Sequence, residues 1–195
     1  MAVRLHDISL RFGRLWVLAH LKAHFEAGKT TLITGENGAG KTTLLRVIAT
    51  AVKPTLGWLE VFGERGGKDD ECLRRRLGLV THKNHLYDDL TAHENLRWGA
   101  RACGIDHSTI PTALERVGLS PHSDRVVRHF SAGMKRRLCL ARLLVRDPEI
   151  ALLDEPFGQL DPQGVSLMES VIRDLHAAGK TVVFTTHDIE RGVAL

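Results

Sequence analysis

The run Gly35-Glu36-Asn37-Gly38-Ala39-Gly40-Lys41-Thr42 constrains this chain more than any other stretch. An apolar segment, Thr31-Leu32-Ile33-Thr34, precedes it, and a helical pattern from Thr43 to Ala49 follows. A strand, a glycine-rich turn and a helix in that order form a phosphate-binding loop. Glycines let the backbone curl so that successive N–H groups point inward at an anion. The N-terminus of the next helix adds partial positive charge at the same place. In such a loop Lys41 reaches the β- and γ-phosphates and the Thr42 hydroxyl holds Mg²⁺. Residues 35–42, with Thr43 at the start of the helix, are the predicted nucleotide-binding segment.

The rest of the chain reads as an α/β domain built around that loop. Residues 3–10 alternate apolar and polar, which predicts a half-buried strand. Trp16-Val17-Leu18 and the alternating Leu21–Phe25 segment follow, and Gly28-Lys29 turns into the loop strand. Phe12 is the first candidate to stack on an adenine ring, and Trp16 the second; the alternative for both is burial in the core. The helix after the loop is predicted to run to about Lys53, because Pro54 cannot continue it. Gly57–Gly63 reads as a glycine-bounded strand. Glu64–Glu71 reads as a polar loop turning at Gly66-Gly67, and Leu77–Val80 as a short strand ending at Thr81-His82.

Helical spacing dominates from about Asn84 to Val145. Thr91 and Glu94 form a capping-box pattern ahead of an apolar periodic segment. Ile110–Val117 predicts a second helix. Ser131 is placed to cap a third, Met134–Val145, with Leu138, Ala141, Leu144 and Val145 along one face. Ile150–Leu153 and Thr181–Thr185 are continuously apolar, as expected of parallel strands covered on both faces. A helix from Gly164 to Ala178 lies between them. The expected organisation is one domain over 1–195, with a core of about 1–83 and 146–195 and a helical subdomain of about 84–145. With 43% hydrophobic residues among 195, the chain can bury a single core of this kind.

Ligands of an open parallel sheet bind beyond the carboxyl ends of its strands. Three such ends carry polar groups here. Asp154 is positioned to hold Mg²⁺ through water. Glu155, one residue on, could polarise a water for attack on a γ-phosphorus. His187 could touch that phosphate and that water. Each has a plainer alternative, a solvated turn or a structural histidine.

In this order the motifs resemble the ATP-binding subunits of ABC transporters. Phe130-Ser131-Ala132-Gly133-Met134 falls where that family carries its Leu-Ser-Gly-Gly-Gln signature. Asp154-Glu155-Pro156 leads into Leu160-Asp161-Pro162, which looks like the family's D-loop. Thr186-His187-Asp188 looks like its switch histidine. The resemblance implies a P-loop NTPase fold: a RecA-like core with a mostly parallel sheet, an antiparallel β subdomain and an inserted α-helical subdomain. It implies an ATPase using ATP and Mg²⁺, with Lys41, Glu155 and His187 as its catalytic residues. It implies a head-to-tail dimer with a second ATPase subunit, in which Ser131 and Gly133 face the γ-phosphate held by the partner subunit. The closer resemblance to the haem-exporter ATPase, given below, implies a separate integral membrane permease and a place on the cytoplasmic face of a bacterial inner membrane. His82 stands where the family has a glutamine that contacts Mg²⁺ and water. A histidine there keeps a hydrogen bond and adds pH sensitivity. Family members continue further past the switch histidine than Leu195. The signature, His82 and Thr91–Arg97 further resemble the haem-exporter ATPase of cytochrome c biogenesis, with other small-molecule exporters as the alternative.

Composition argues against other classes. The net charge is +4, with short basic clusters only at Arg74–Arg76 and Lys135–Arg137, which read as solvated helix faces. A nucleic-acid footprint is a broad stripe, so an ATPase acting on nucleic acid is the weaker expectation. Cys72, Cys103 and Cys139 are odd in number and far apart, which disfavours disulfides and metal sites. Arg4, His6, Asp7 and Arg11 interrupt the N-terminus, unlike a signal peptide. No apolar run approaches the roughly 20 residues that span a bilayer.

Overall fold

A computed structural model describes residues 1–66 and 71–195. The Gly67 half of the predicted Gly66-Gly67 loop lies outside the described residues. Among the described residues, two four-stranded sheets organise the chain. The first is antiparallel: β1 (Val3–Phe12), β2 (Leu15–Phe25), β4 (Leu56–Val61) and β5 (Glu64–Arg65), in the order β2-β1-β4-β5. The second is parallel: β3 (Thr30–Ile33), β6 (Leu77–Val80), β7 (Ile150–Asp154) and β8 (Thr181–Thr185), in the order β3-β8-β7-β6.

The parallel sheet is the middle layer, and its interior strands are apolar because each face has its own core. Ile150 and Leu152 of β7 and Val183 of β8 join the antiparallel sheet and α1 (Lys41–Ile48). Ala151 and Leu153, with Val182 and Phe184, join the helices on the other face. Those helices are α3 (Ala92–Ala102), α4 (Ile110–Arg116), α5 (Ala132–Arg146) and α6 (Pro162–Ala177). Side chains alternate across a strand, so two cores demand a continuous apolar run. Gly78 of β6 lies where α5 and the segment after it pack closely on the sheet. A Cβ there would sit 2.4 Å from Leu143 Cδ1 of α5 and 2.7 Å from Pro148 Cγ.

The capping signals act as expected. Thr91 accepts from the Glu94 amide, and the Glu94 side chain accepts from the Thr91 amide. Ser131 Oγ accepts from the Met134 amide at 3.2 Å and starts α5 two residues earlier than its apolar periodicity suggests. Asp161 caps α6 through the Gly164 amide at 2.7 Å.

Several expectations change. α1 stops at Ile48, well before Pro54. Thr50 takes a left-handed φ of 55°, and the Ala51 and Thr50 amides donate to the Arg46 and Val47 carbonyls. That is a Schellman stop made without glycine. β2 is one strand, where the sequence reads as two, because bulged register shifts against β1 break its alternation. α2 (Glu71–Arg76) occupies a stretch with no helical signal. Phe12 and Trp16 are 50% and 47% exposed, so neither is a core residue. Leu144 is only partly buried, whereas Cys139, Leu140 and Leu143 are buried, because α5 is enclosed on more than one side. A short α7 (Ile189–Val193) follows β8. Among the described residues no helix is long and apolar enough to cross a membrane.

Candidate functional site

Parallel strands point their carboxyl ends the same way, so the segments after β3, β6, β7 and β8 gather along one edge. The loop after β3 has left-handed φ values of 148°, 85° and 89° at Gly35, Gly38 and Gly40. Gly40 has no alternative, since a Cβ there would stand 3.0 Å from Leu18 Cδ2 and 3.0 Å from the Val17 carbonyl oxygen. It is also the N-cap of α1, with no side-chain cap bond. The first amides of a helix have no partner within it, so this end is open to an anion. Lys41 Nζ curls back to donate to the carbonyls of Gly35 at 2.7 Å and Glu36 at 3.0 Å.

β7 ends in Asp154, which is 2% exposed. Its Oδ2 accepts from the Thr42 hydroxyl at 2.8 Å and lies 3.7 Å from His82 Nδ1. Its Oδ1 accepts from the Thr185 hydroxyl at 2.9 Å. Thr42, Asp154 and His82 therefore meet at one carboxylate oxygen. The hydroxyl and carboxylate are the hard oxygen donors that Mg²⁺ takes, and a site with so few protein oxygens leaves room for phosphate and water. His82 offers a nitrogen, which suits a hydrogen bond at the margin of that set.

Glu155 follows with a left-handed φ of 46°. Its Oε1 is buried without a well-aligned hydrogen bond, although His187 Nδ1 approaches to 3.1 Å. A shielded carboxylate oxygen with spare acceptor capacity can take a proton from a water. The loop residues Asn37, Gly38, Gly40, Lys41, Thr42 and Thr43 line a cleft of about 240 Å³ together with Asp154, Glu155, His187 and Val17. The loop amides, Lys41 and the carboxylates thus surround a volume that suits a phosphate chain and a cation.

The other expected residues lie elsewhere. Phe12 and Trp16 sit at the exposed end of the β1–β2 hairpin, and Val17 of that hairpin lines the cleft instead. Ser131 and Gly133 lie at the N-terminus of α5 and do not line it. Gly35, Glu36 and Ala39 shape the loop through their backbone, with the Ala39 amide donating to the Glu36 carbonyl at 3.2 Å.

Two further residues belong to the site. Thr185 holds Asp154 Oδ1 and also accepts from the Glu155 amide at 3.0 Å. Its only sequence signal is its place at the end of an apolar strand facing another strand that ends in carboxylates. Arg136 is 4% exposed and donates to four main-chain carbonyls around the cleft: Thr81, Asp154, Glu155 and Pro156. Burial lowers its pKa from the ordinary arginine value. The sequence places it in a basic run that reads as solvated. Three consecutive helical residues fan round the axis, and this one turns inward.

Known proteins resemble this chain in sequence and in fold. The bacitracin transport ATP-binding protein BcrA of Bacillus licheniformis is 36% identical over 188 residues, covering 96% of this chain and 61% of BcrA. A Nod factor export ATP-binding protein I of Burkholderia lata is 38% identical over 193 residues, covering 97% of this chain and 64% of that protein. The chain thus spans less than two thirds of the length of these relatives. Among solved structures, a dimeric post-hydrolysis state of the ATP-binding cassette MJ0796 bound to ADP and Pi superposes with a TM-score of 0.84. It is 27% identical, and the match covers 96% of this chain and 89% of that one. The pattern described as ABC transporter matches residues 18–158, from the strand beside the loop to the segment after the two carboxylates. By sequence and by fold, the chain belongs to the ABC transporter family.

Proposed function

We propose that this chain binds and hydrolyses ATP and couples that reaction to a membrane permease, as the ATPase subunit of an exporter. The observation that carries the reading is the convergence of Lys41, Thr42, Asp154, Glu155 and His187 on one cleft. In this reading the loop amides and Lys41 hold the β- and γ-phosphates. Bound Mg²⁺ would neutralise charge developing on the phosphates. Thr42 and Asp154 would hold it, with His82 bonding to its surroundings. Glu155 takes a proton from the attacking water, and His187 steadies that water and the γ-phosphate. Phe12 or Trp16 stacks on the adenine from the hairpin.

Ser131 and Gly133 do not line this cleft, and in this reading they complete the cleft of a second copy. An exposed serine at a helix N-terminus suits an anion presented by another molecule. The head-to-tail pair closes on ATP and opens after hydrolysis. The permease receives that motion near residues 82–89. There a cavity of about 340 Å³ opens beside His85 and Trp98, and the exposed Tyr87 and Trp98 rings pack edge to face at 4.8 Å. On this view the helical subdomain is residues 84–145, and the protein works at the cytoplasmic face of a bacterial inner membrane.

The named relatives serve bacitracin transport and Nod factor export. They favour an exporter of another small molecule over the haem exporter that His82 and the signature suggest. A nucleic-acid role loses its footing. Arg76 pairs with Glu149, Lys135 with Asp88 and Arg137 with Asp161, while Arg136 is buried.

The test is ATP hydrolysis by the protein and by its Lys41→Ala and Glu155→Gln variants. Both substitutions are expected to lower turnover steeply, to a small residual rate. Unchanged rates in both would overturn the assignment.

A further inference from the structure

The carboxylate assigned to hydrolysis stands on a backbone that is not at rest. Glu155 has a φ of 46°, a region that costs a residue with a Cβ. Such a conformation persists only when its surroundings over-determine it. On one side the Glu155 amide donates to Thr185 Oγ1 at 3.0 Å. On the other, the Glu155 carbonyl accepts from Arg136 Nη2 at 2.7 Å and from the Gly158 amide at 3.2 Å.

Arg136 does more than hold one carbonyl. The same Nη2 donates to the Asp154 carbonyl at 3.0 Å, Nε to the Pro156 carbonyl at 3.4 Å, and Nη1 to the Thr81 carbonyl at 2.5 Å. Each of these bonds goes to main chain. A guanidinium carries five donors in a fixed fork, so one rigid group spans three consecutive carbonyls from the last residue of β7 onward and one after β6. A buried charge used in this way specifies geometry, since its desolvation must be offset by every bond it makes.

We propose that Arg136 is a positioning residue for hydrolysis. It fixes the left-handed backbone at Glu155 and so aims that carboxylate at the attacking water. It does this from α5, the helix that Ser131 caps. Engagement of Ser131 by a second copy's nucleotide is thereby tied mechanically to the Glu155 of the same chain. The proposal rests on the hydrolytic reading given above.

Misplacing a reacting group by about 1 Å costs on the order of 100-fold in rate. Arg136→Gln removes the buried charge and keeps two donors. It should lower kcat at least about tenfold and leave KM within about threefold, the pattern of an interaction used only in the transition state. Arg136→Lys keeps the charge without the fork and should give an intermediate loss. If the glutamine variant shows no cooperative melting, the lysine variant is read in its place. In a Glu155→Gln background, either change should lower the residual rate no further, because Arg136 acts through Glu155. Wild-type kcat in the folded Arg136 variants overturns the proposal, and so does a loss that multiplies fully with Glu155→Gln. Full turnover in Glu155→Gln alone overturns the hydrolytic reading and this proposal with it. Inactive Glu155→Gln beside fully active Arg136 variants overturns only this proposal.

Discussion

The Thr42 hydroxyl donates to Asp154 Oδ2 at 2.8 Å, joining two residues 112 positions apart. One lies in the first turn of the helix after the loop and the other at the end of an interior strand. A cation held between them needs both. Thr42→Ala should raise the Mg²⁺ concentration for half-maximal hydrolysis by about tenfold, or ~1.4 kcal/mol. Thr42→Ser should restore it. A magnesium titration of the ATPase rate measures both, and an unchanged midpoint in the alanine variant removes Thr42 from the metal site.

Gly40 combines a φ of 89° with side-chain and backbone atoms 3.0 Å from where a Cβ would go. Gly40→Ala should destabilise the fold by about 1–3 kcal/mol. It should also weaken binding of a fluorescent ATP analogue, because the loop must shift to admit the methyl group. Denaturant unfolding and equilibrium binding read the two effects separately.

Thr91 and Ser131 are both N-caps, so they separate a structural role from a functional one. Thr91→Ala and Ser131→Ala should each cost about 1 kcal/mol of stability. Thr91→Ala should leave ATPase activity within about twofold per folded molecule. Ser131→Ala should also lower turnover about tenfold or more, a loss of ~1.4 kcal/mol in the transition state. Equal activity in the two variants would confine Ser131 to capping.

Glu149 pairs with Arg76 Nε at 2.6 Å. The hydrogen bond from Arg76, opposed by partial burial and aided by its charge, pulls the Glu149 pKa below the ordinary 4.5. The folded chain therefore binds this proton less readily than the unfolded chain. The stabilisation is complete above the unfolded value and is lost as pH falls through the lower folded value. The stability difference between wild type and Glu149→Gln should be constant near neutrality, shrink as pH falls below the unfolded value, and vanish once pH lies below the lowered folded value. Urea unfolding across that range reads it, and a difference that persists in acid would show that the pair acts through packing.

Elements with a strong local cause were legible in the sequence. The two apolar strands β7 and β8 and the capped starts of α3 and α5 fall close to their expected places. Each depends on period, composition or a cap within a few residues. The glycine-rich turn between β3 and α1 was legible for the same reason, since its residues are contiguous. What depends on distant partners was not. Thr185 matters because β8 lies beside β7, and no pattern within β8 states that. Arg136 sits in a run of basic residues, and only the packing of α5 on the sheet turns it inward. α1 ends at a threonine in a conformation usually given to glycine, so the visible proline misplaced the stop. Trp16 and Phe12 were weighed between core and nucleotide, and exposure removes the first option.

The Lys41 ammonium is already bonded to the carbonyls of Gly35 and Glu36. In the proposed reading an arriving phosphate meets a cation that is already held, and exchanges one set of oxygen partners for another. Little side-chain freedom remains to be lost on binding, which removes one of the ordinary costs of association. In the proposed reading the same two carbonyls can take the cation back when the phosphate leaves, so the exchange of spent for fresh nucleotide needs only a change of oxygen partners at Lys41.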